Sequence, residues 1–279
     1  MSIILKLELV SAYIYKTTIL KMPVILNWKD VNPSTDFRYH EPRSSSSGHD
    51  GFNVKVEVLD KKTQRYVPFL HVGPELKIPF GLDRKEQPNG PAFRCAMTFP
   101  GVLGDGKTID YSGPKENVDY LKWLKSIDEN NKNKALAQCQ SWFKKDISKD
   151  IIDEFYFHNI TNSTKPAEYS PTFATKLKFR REVFQTEFYN QLSKKIEYED
   201  IPAGATVIPL IETMGLWFAG KSFGMSFKIN QLMVFEKDQF DGCAIVNPHV
   251  IASEDEIDQA VVPSFILAED HGSKRQRVA

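Results

Sequence analysis

The sequence predicts a β-rich α+β fold in which a small antiparallel barrel is interrupted by a helical insertion. The run Ala205–Glu236 carries the densest strand signal, with apolar segments separated by Gly220-Lys221 and Asn230-Gln231 in the spacing of a hairpin meander. The earlier segment Phe52–Leu59 alternates apolar and polar residues with the two-residue period of a half-buried strand. Between these regions the periodicity becomes helical over about residues 114–158.

The first half of the chain contains further strand candidates, separated by polar turns. They are Ser2–Val10, Tyr13–Leu20, Pro23–Trp28, Tyr66–Val72, Leu76–Phe80 and Ala92–Phe99. Two prolines, a serine tract and a glycine within Asn32–Asp50 predict a flexible surface loop.

The helical insertion is predicted to contain three helices. Pro114 suits a first turn, and the apolar positions that follow fit an amphipathic helix ending near Asn130. Ala135–Lys144 and Ile147–Phe157 carry two more helical periods. Strand character returns at Thr172–Glu182 and at the aromatic-rich Phe184–Tyr189, so the helices are expected to interrupt one barrel.

The 279 residues suffice for one β-rich domain with a sizeable core. We expect an N-terminal extension over 1–22, a main domain over 23–250 and a charged tail over 251–279. Charged residues interrupt the apolar start, which argues against a signal peptide or a spanning helix, and Met22 is an alternative start. Cysteines 95, 139 and 243 are far apart, which favours reduced thiols inside a cell.

Charge is distributed unevenly along the chain. The formal net charge is zero, but 33 basic and 28 acidic residues precede Asp238, and eight acidic residues lie between Asp238 and Ser273 with no Lys or Arg. One interpretation is a solvated tail; the other is a tail that competes with nucleic acid or recruits other proteins. The basic end Lys274-Arg275-Gln-Arg277 also matches a weak nuclear-signal pattern.

The segment Gly101–Thr108 satisfies the phosphate-loop pattern GxxxxGK[ST]. A working loop of this kind needs a helix that starts at Lys107-Thr108, so that its N-terminus faces the phosphates. Gly113-Pro114 would break such a helix within about two turns. A glycine-rich β-turn is the alternative interpretation.

A basic strand is predicted at Thr172–Arg181. Alternation would place Phe173, Thr175, Leu177 and Phe179 on one face and Ala174, Lys176, Lys178 and Arg180 on the other. The cations would then follow one another at about 7 Å, close to the phosphate spacing of an extended single strand. The alternative is an edge strand that uses lysines to prevent aggregation.

Aromatic residues are abundant, with 19 Phe, 10 Tyr and 4 Trp. Most of them should be buried, but Trp217 lies on the opposite face from its neighbours Leu216 and Phe218. Binding of single strands without sequence preference combines a positive groove with aromatic platforms for bases.

No hydrolase or transferase motif and no His or Cys pair with metal spacing is present, so the sequence predicts no enzyme, cofactor or metal.

Four stretches resemble, in order, the single-stranded DNA-binding proteins of the nucleocytoplasmic large DNA viruses. They are Ile25-Leu-Asn-Trp28-Lys-Asp-Val31, the strand Phe52–Leu59, the proline-led basic strand Pro171–Arg181, and the closing strands Gly220–Glu236 with their final Val-Phe-Glu. The resemblance implies an OB-fold barrel and a role in replication or repair in the infected cell. It also places Gly101–Thr108 in a variable loop.

This resemblance and the basic strand together define the expected site and partners. The candidate nucleic-acid-binding residues are Lys176, Lys178, Arg180, Arg181, Trp217, Phe218, Lys221 and Lys228. Single-stranded DNA is the expected partner; replication proteins at the acidic tail and further copies of the chain are additional candidates, and no membrane is expected. The expected location is a replication site in host cytoplasm or nucleus, or the virion. A P-loop nucleotide-binding protein and a viral scaffold protein remain the alternatives.

Overall fold

The computed structural model of the protein describes residues 23–44, 51–87, 90–104 and 111–235. The predicted N-terminal extension and acidic tail therefore lie outside the described residues. Strands before and after a helical block form the fold, as the sequence predicts.

The elements are numbered in chain order. The strands before the helical block are β1 (Ile25–Leu26), β2 (Phe37–Tyr39), β3 (Arg43–Ser44), β4 (Gly51–Val54), β5 (Val56–Asp60), β6 (Arg65–Val72), β7 (Leu76–Ile78), β8 (Leu82–Lys85), β9 (Ala92–Thr98), β10 (Leu103–Gly104) and β11 (Tyr111–Ser112). The helices are α1 (Pro33–Asp36), α2 (Lys115–Ala137), α3 (Cys139–Phe143) and α4 (Lys149–Phe155). The later strands are β12 (Ile160–Thr161), β13 (Thr172–Leu177), β14 (Phe179–Arg180), β15 (Val183–Phe184), β16 (Glu187–Asn190), β17 (Lys195–Ile196), β18 (Ala205–Ala219) and β19 (Ser222–Phe235).

Five of these strands close into a barrel. Around the barrel the order is β7, β9, β13, β19 and β18, and β18 pairs with β7 to complete the ring. A closed five-stranded barrel is the OB-fold architecture, so the predicted OB-fold-like barrel is confirmed. The barrel is antiparallel, as predicted, except at one seam, where β13 and β19 run parallel.

The interior of the barrel is filled by alternate side chains of the five strands, as a half-buried strand requires. The fully buried side chains include Leu76, Ile78, Cys95, Met97, Phe173, Val207, Ile211 and Ile229. Their neighbours along each strand point outward, so the strands β9 and β13 present an outer face that the core does not use.

The hairpin of β18 and β19 is longer than the sequence indicates. Gly220-Lys221 forms the predicted turn, with Gly220 at a φ of 57°. Asn230-Gln231 does not form a turn: β19 continues through it, and a register shift against β18 leaves Asn230 as a bulge. Bulges bend a strand, and the second half of β19 takes β16 as a parallel neighbour.

The strand β18 also connects the barrel to a second group of strands. Beyond its β7 partner it pairs with β6 and then with β4, while β6 continues to β5 and β2. A bulge at Met214 lies between these two partners, and Gly215 follows it at a φ of 107°. A Cβ atom at Gly215 would lie 2.3 Å from the carbonyl oxygen of Val54, so only glycine fits there.

The helical block packs on this second group of strands through α2. Tyr120 lies in the core and its hydroxyl is 2.9 Å from Nε2 of the buried His71 on β6. Burial lowers the pKa of His71 to about 3, so the ring is neutral near pH 7. Trp123 donates its indole N–H to the carbonyl oxygen of Val31, which fixes the helix against the start of the domain.

The three predicted helices are present, but the first does not end near Asn130. Helix α2 runs on to Ala137 because Asn130 and Asn131 are satisfied by tertiary partners and do not act as caps. Asn130 donates to the carbonyl oxygen of Pro33 and to the hydroxyl of Tyr39, and the Asn131 side chain bonds Tyr39 and Tyr156.

The described part of the phosphate-loop pattern, residues 101–104, ends in a short strand. Leu103 and Gly104 pair with Tyr111 and Ser112, and residues 105–110 between them lie outside the described part of the chain. A phosphate-binding loop would need a helix that runs from Lys107 through 111 and 112, yet these two residues are a strand and α2 starts only at Lys115. The hairpin therefore disfavours the nucleotide-binding interpretation.

Replacement of Gly215 tests the junction between the barrel and the second strand group. Gly215→Ala should lower the free energy of unfolding by about 4 kcal/mol, since it adds both a positive-φ penalty and a backbone clash. Gly220→Ala is the matched control, because φ is also positive there but the Cβ position is open, and about 1–2 kcal/mol is expected. Urea unfolding followed by tryptophan fluorescence measures both; equal losses would contradict the proposed clash.

Candidate nucleic-acid interface

Three cations lie side by side on the outer face of the barrel. In the strand register Lys176 of β13 is the neighbour of Arg94 on β9 and of Lys228 on β19. Neighbouring strands are about 4.8 Å apart, so the three positions span roughly 10 Å across the strands. The cations thus form a row perpendicular to the strands.

None of these three side chains is paired with a carboxylate in the part of the chain that the structure describes. Partial burial lowers the pKa of the Lys176 ammonium, and the charges of Arg94 and Lys228 lower it further. Three like charges held together repel one another, so the arrangement favours an anionic ligand.

The predicted row of cations along β13 is wrong beyond Lys176. The strand ends at Leu177, and the backbone of Lys178 turns to bond Thr186 and Gln185. The Lys178 ammonium forms an ion pair with Glu212 on β18, in which both side chains are three-quarters buried. Its charge is therefore already neutralised.

Arg180 and Arg181 are exposed on the short hairpin of β14 and β15. Two aromatic residues of this hairpin, Phe179 and Phe184, each lie 4.6 Å from the ring of Phe93, which fixes the hairpin to β9. The turn places Arg181 and Glu182 at φ values of 53° and 62°, a conformation that usually selects glycine or asparagine. The structure thus places both arginines at the far end of β13, beyond the three-cation row.

The two predicted stacking residues have opposite environments. Trp217 faces outward and is half-buried, with its ring centroid 5.9 Å from that of Phe157. Phe218 points inward, where it stacks on Phe52 and Phe223 and is 93% buried. Because side chains alternate along a strand, Phe218 cannot share the face of Trp217, and its expected role in base stacking is incompatible with the structure.

Lys221 lies in the exposed turn between β18 and β19. It is seven residues from Lys228 along β19, about 23 Å at the rise of a strand. Trp217 lies between them, since its register partner is Gly224. A path along the outer face thus starts at Lys221 and passes Trp217 before it reaches the cation row.

Two cavities run along this path and share Arg94 and Lys176. One, of about 260 Å³, is bounded by Phe157 and Trp217, and the other, of about 230 Å³, by Phe179 and Lys228. We call the surface formed by Arg94, Phe157, Lys176, Trp217 and Lys228 the barrel groove. It combines positive charge with accessible aromatic rings.

Two residues of the groove, Arg94 and Phe157, are not among those predicted from the sequence. Arg94 could have been found, because Ala92–Phe99 alternates apolar and other residues and so places Arg94 on the outer face. Phe157 carried no such signal, since the residues before it are helical and only the structure shows the chain leaving α4 to run beside β19.

A larger cavity, of about 490 Å³, lies on the other side of the segment that follows α4. It is lined by Lys125 but also by Asp128 and Glu129. The Asp128 carboxylate accepts a hydrogen bond from Tyr156 and lies 3.2 Å from His158 Nδ1. Its carboxylates make this cavity less suited to phosphate groups than the barrel groove.

No group of three His, Cys, Asp or Glu side chains in the described ranges could hold a metal ion. Among the helices that the structure describes, none has the length and apolar character needed to cross a membrane.

Comparison with known proteins gives one family match and several structural similarities. A family model described as a family of unknown function (DUF5871) matches residues 114–243. A search of curated proteins finds no match. Thus the named similarities come from solved structures alone.

The similar structures are from bacteriophages. The crystal structure of gp2.5, a single-stranded DNA-binding protein encoded by bacteriophage T7, has 10% identity and a TM-score of 0.40 over 72% of this chain and 100% of that one. The single-stranded DNA-binding protein from bacteriophage Enc34 has 12% identity and a TM-score of 0.35, covering 75% of this chain and 97% of that one. Its complex with single-stranded DNA gives the same identity and score over 72% and 98%. These scores are low, so the fold assignment rests on the strand connectivity.

The lowered pKa of Lys176 predicts high reactivity towards an acylating reagent. At mildly alkaline pH Lys176 should be acetylated readily, because its lowered pKa leaves a larger fraction of its amine neutral. Lys228→Gln removes one repelling charge, so it should raise the pKa of Lys176 and slow its labelling. Time-resolved peptide mapping by mass spectrometry measures the rate in both proteins; equal rates at Lys176 in the wild type and in Lys228→Gln would contradict the electrostatic coupling.

Proposed function

We propose that this protein is a non-catalytic single-stranded DNA-binding protein of a large DNA virus. It coats and protects single strands with little sequence preference during replication, recombination or repair. The observation that carries the proposal is the unpaired row of Arg94, Lys176 and Lys228 beside the accessible rings of the barrel groove.

The position of the row supports nucleic acid as the ligand. OB-folds bind oligonucleotides on the face of their second and third strands, between the loops that join strands one to two and four to five. Those two strands are β9 and β13 here, and the loops correspond to residues 79–91 and to Gly220-Lys221. Arg94 and Lys176 lie on this face, and Lys221 lies in the second loop.

The chemistry of the groove supports single strands in preference to a duplex. Bases can stack on Phe157 and Trp217 only when they are not paired, and stacking accepts any base. The cations contact phosphates, which carry no sequence information. Little sequence preference is therefore expected.

The sequence resemblance supports the viral setting of this proposal. It extends through β1, β4, β5, β13 and β19, so it includes the strand of Lys176 and that of Lys228. On this proposal the protein acts at replication sites in host cytoplasm or nucleus, or is packaged in the virion. Replication proteins at the acidic tail and further copies of the chain remain proposed partners.

Fluorescence anisotropy of labelled oligo-dT and of a matched duplex across a salt series tests the proposal. The single strand should bind more tightly, and its log affinity should fall linearly with log salt, by about 0.7 for each phosphate contact. Absence of oligo-dT binding at low salt would contradict the proposed function.

Charge reversal of the row should abolish binding without unfolding the protein. Lys176→Glu with Lys228→Glu should weaken oligo-dT binding by about 100-fold or more, since both lose phosphate contacts and gain repulsion. Lys62→Glu with Arg65→Glu changes the net charge equally at the exposed end of the β5–β6 hairpin, outside the barrel, and serves as control. Equal losses in the two double variants would point to overall charge and not to the groove.

Release of Lys178 from its partner should strengthen binding. Glu212→Gln removes the carboxylate that neutralises Lys178 beside Lys228, so affinity should rise several-fold and the salt slope by about 0.7. Glu168→Gln breaks an exposed ion pair with Lys165 away from the groove and is the matched control. A salt slope that does not change in Glu212→Gln would exclude Lys178 from the DNA path.

A further inference from the structure

The barrel groove contains a fork between two strands. β13 and β19 are register partners only at Lys176–Leu177 and Lys228–Ile229. Before these residues β13 pairs instead with β12, so the two barrel strands separate towards their N-terminal ends. The fork leaves room for another segment of chain.

The chain that leaves α4 fills this fork and is held on both sides. Phe157 donates its backbone N–H to the carbonyl oxygen of Phe223 on β19 at 2.7 Å. Two residues later, Asn159 accepts from the amide of Ala174 on β13 at 2.8 Å and donates its side-chain Nδ2 to the carbonyl oxygen of Met225 at 2.8 Å. These hydrogen bonds anchor the backbone around Phe157, a residue that is 51% exposed.

Gly224 allows this segment to lie close over β19. A Cβ atom at Gly224 would be 2.7 Å from the carbonyl oxygen of Phe157 and 3.4 Å from Cζ2 of Trp217. Any side chain would therefore push Phe157 away and crowd Trp217. The glycine keeps both rings at the same end of the cavity.

The resulting cavity has the size and lining for one small planar group. Its volume of about 260 Å³ lies below the roughly 300 Å³ at which pockets for drug-sized ligands begin. Phe157, Trp217 and Met225 give it apolar walls, and Arg94 and Lys176 lie at its border with the second cavity. A planar apolar group joined to an anion matches this combination.

The polar wall of the cavity contains an unused acceptor. Asn159 is 92% buried, and while its Nδ2 is bonded to Met225, no described residue donates a hydrogen bond to its Oδ1. Every natural nucleobase carries at least one N–H group on its pairing edge. An acceptor here therefore suits any base whose pairing edge is free.

We propose that this cavity is a pocket for a single nucleobase of the bound strand. The base stacks on Phe157 and Trp217 and donates an N–H to Asn159 Oδ1, while its phosphates contact Arg94 and Lys176. This inference rests on the proposed function and adds to it a defined position for one base.

The experiment compares oligo-dT with an abasic deoxyribose-phosphate oligomer of equal length, both followed by fluorescence anisotropy. Phe157→Ala should weaken oligo-dT binding by about 5- to 150-fold, the range for loss of one stacked base, and leave abasic binding unchanged. Lys176→Ala should weaken both by the same factor. Tyr66→Ala, at an exposed aromatic on β6 outside the barrel, is the control and should change neither.

The outcomes separate this inference from the proposed function. Unchanged abasic binding in Phe157→Ala also shows that the variant is folded. If Phe157→Ala affects neither oligomer, or both equally, while the wild type binds oligo-dT, the pocket is refuted and the proposed function stands. If the wild type binds no oligo-dT, the proposed function itself fails.

Discussion

The antiparallel ladder between β18 and β19 is the interaction on which the rest of the structure depends. These strands supply two of the five barrel strands, and each also leaves the barrel: β18 towards β6 and β4, β19 towards β16. Bulges at Met214 and Asn230 bend the two strands, so that each strand pairs both within the barrel and outside it. The barrel, the second strand group and the groove are thus parts of one continuous sheet.

The groove arises from topology more than from any single strand. One parallel seam within an otherwise antiparallel barrel brings Lys176 of β13 beside Lys228 of β19. The separation of the same strands opens the fork that Phe157 enters. The cations and the ring of Phe157 are adjacent because the same two strands, β13 and β19, position both.

The fold could be predicted from the sequence where the signal is local. The turn at Gly220-Lys221 and the helical period after Pro114 depend on neighbouring residues, and each corresponds to an element of the structure. The alternation in Phe52–Leu59 predicts one strand, but the structure divides it into β4 and β5, which have different partners. The end of α2 could not be predicted, because what decides whether Asn130 caps a helix is a partner 97 residues away.

The site was less predictable for the same reason. The sequence places Lys176 and Lys178 on one strand face. It does not show where β13 ends or that Glu212 pairs with Lys178, because both depend on contacts between strands. Conversely, Arg94 joins Lys176 only through the register of β9 with β13. The stacking role predicted for Phe218 was wrong because strand alternation shows which residues share a face. It does not show which of the two faces the core covers.

The seam between β9 and β13 also has a consequence for how the protein folds. Its two strands are adjacent in the barrel, yet 73 residues lie between Thr98 and Thr172. Closing a flexible loop of that length has an entropic cost, and such non-local contacts slow folding. Helix α2 lies within this loop and is held to β6 by the contact between Tyr120 and His71. Once the helix has docked, the span left to close is shorter, so we expect docking of the helical block to favour closure of the seam.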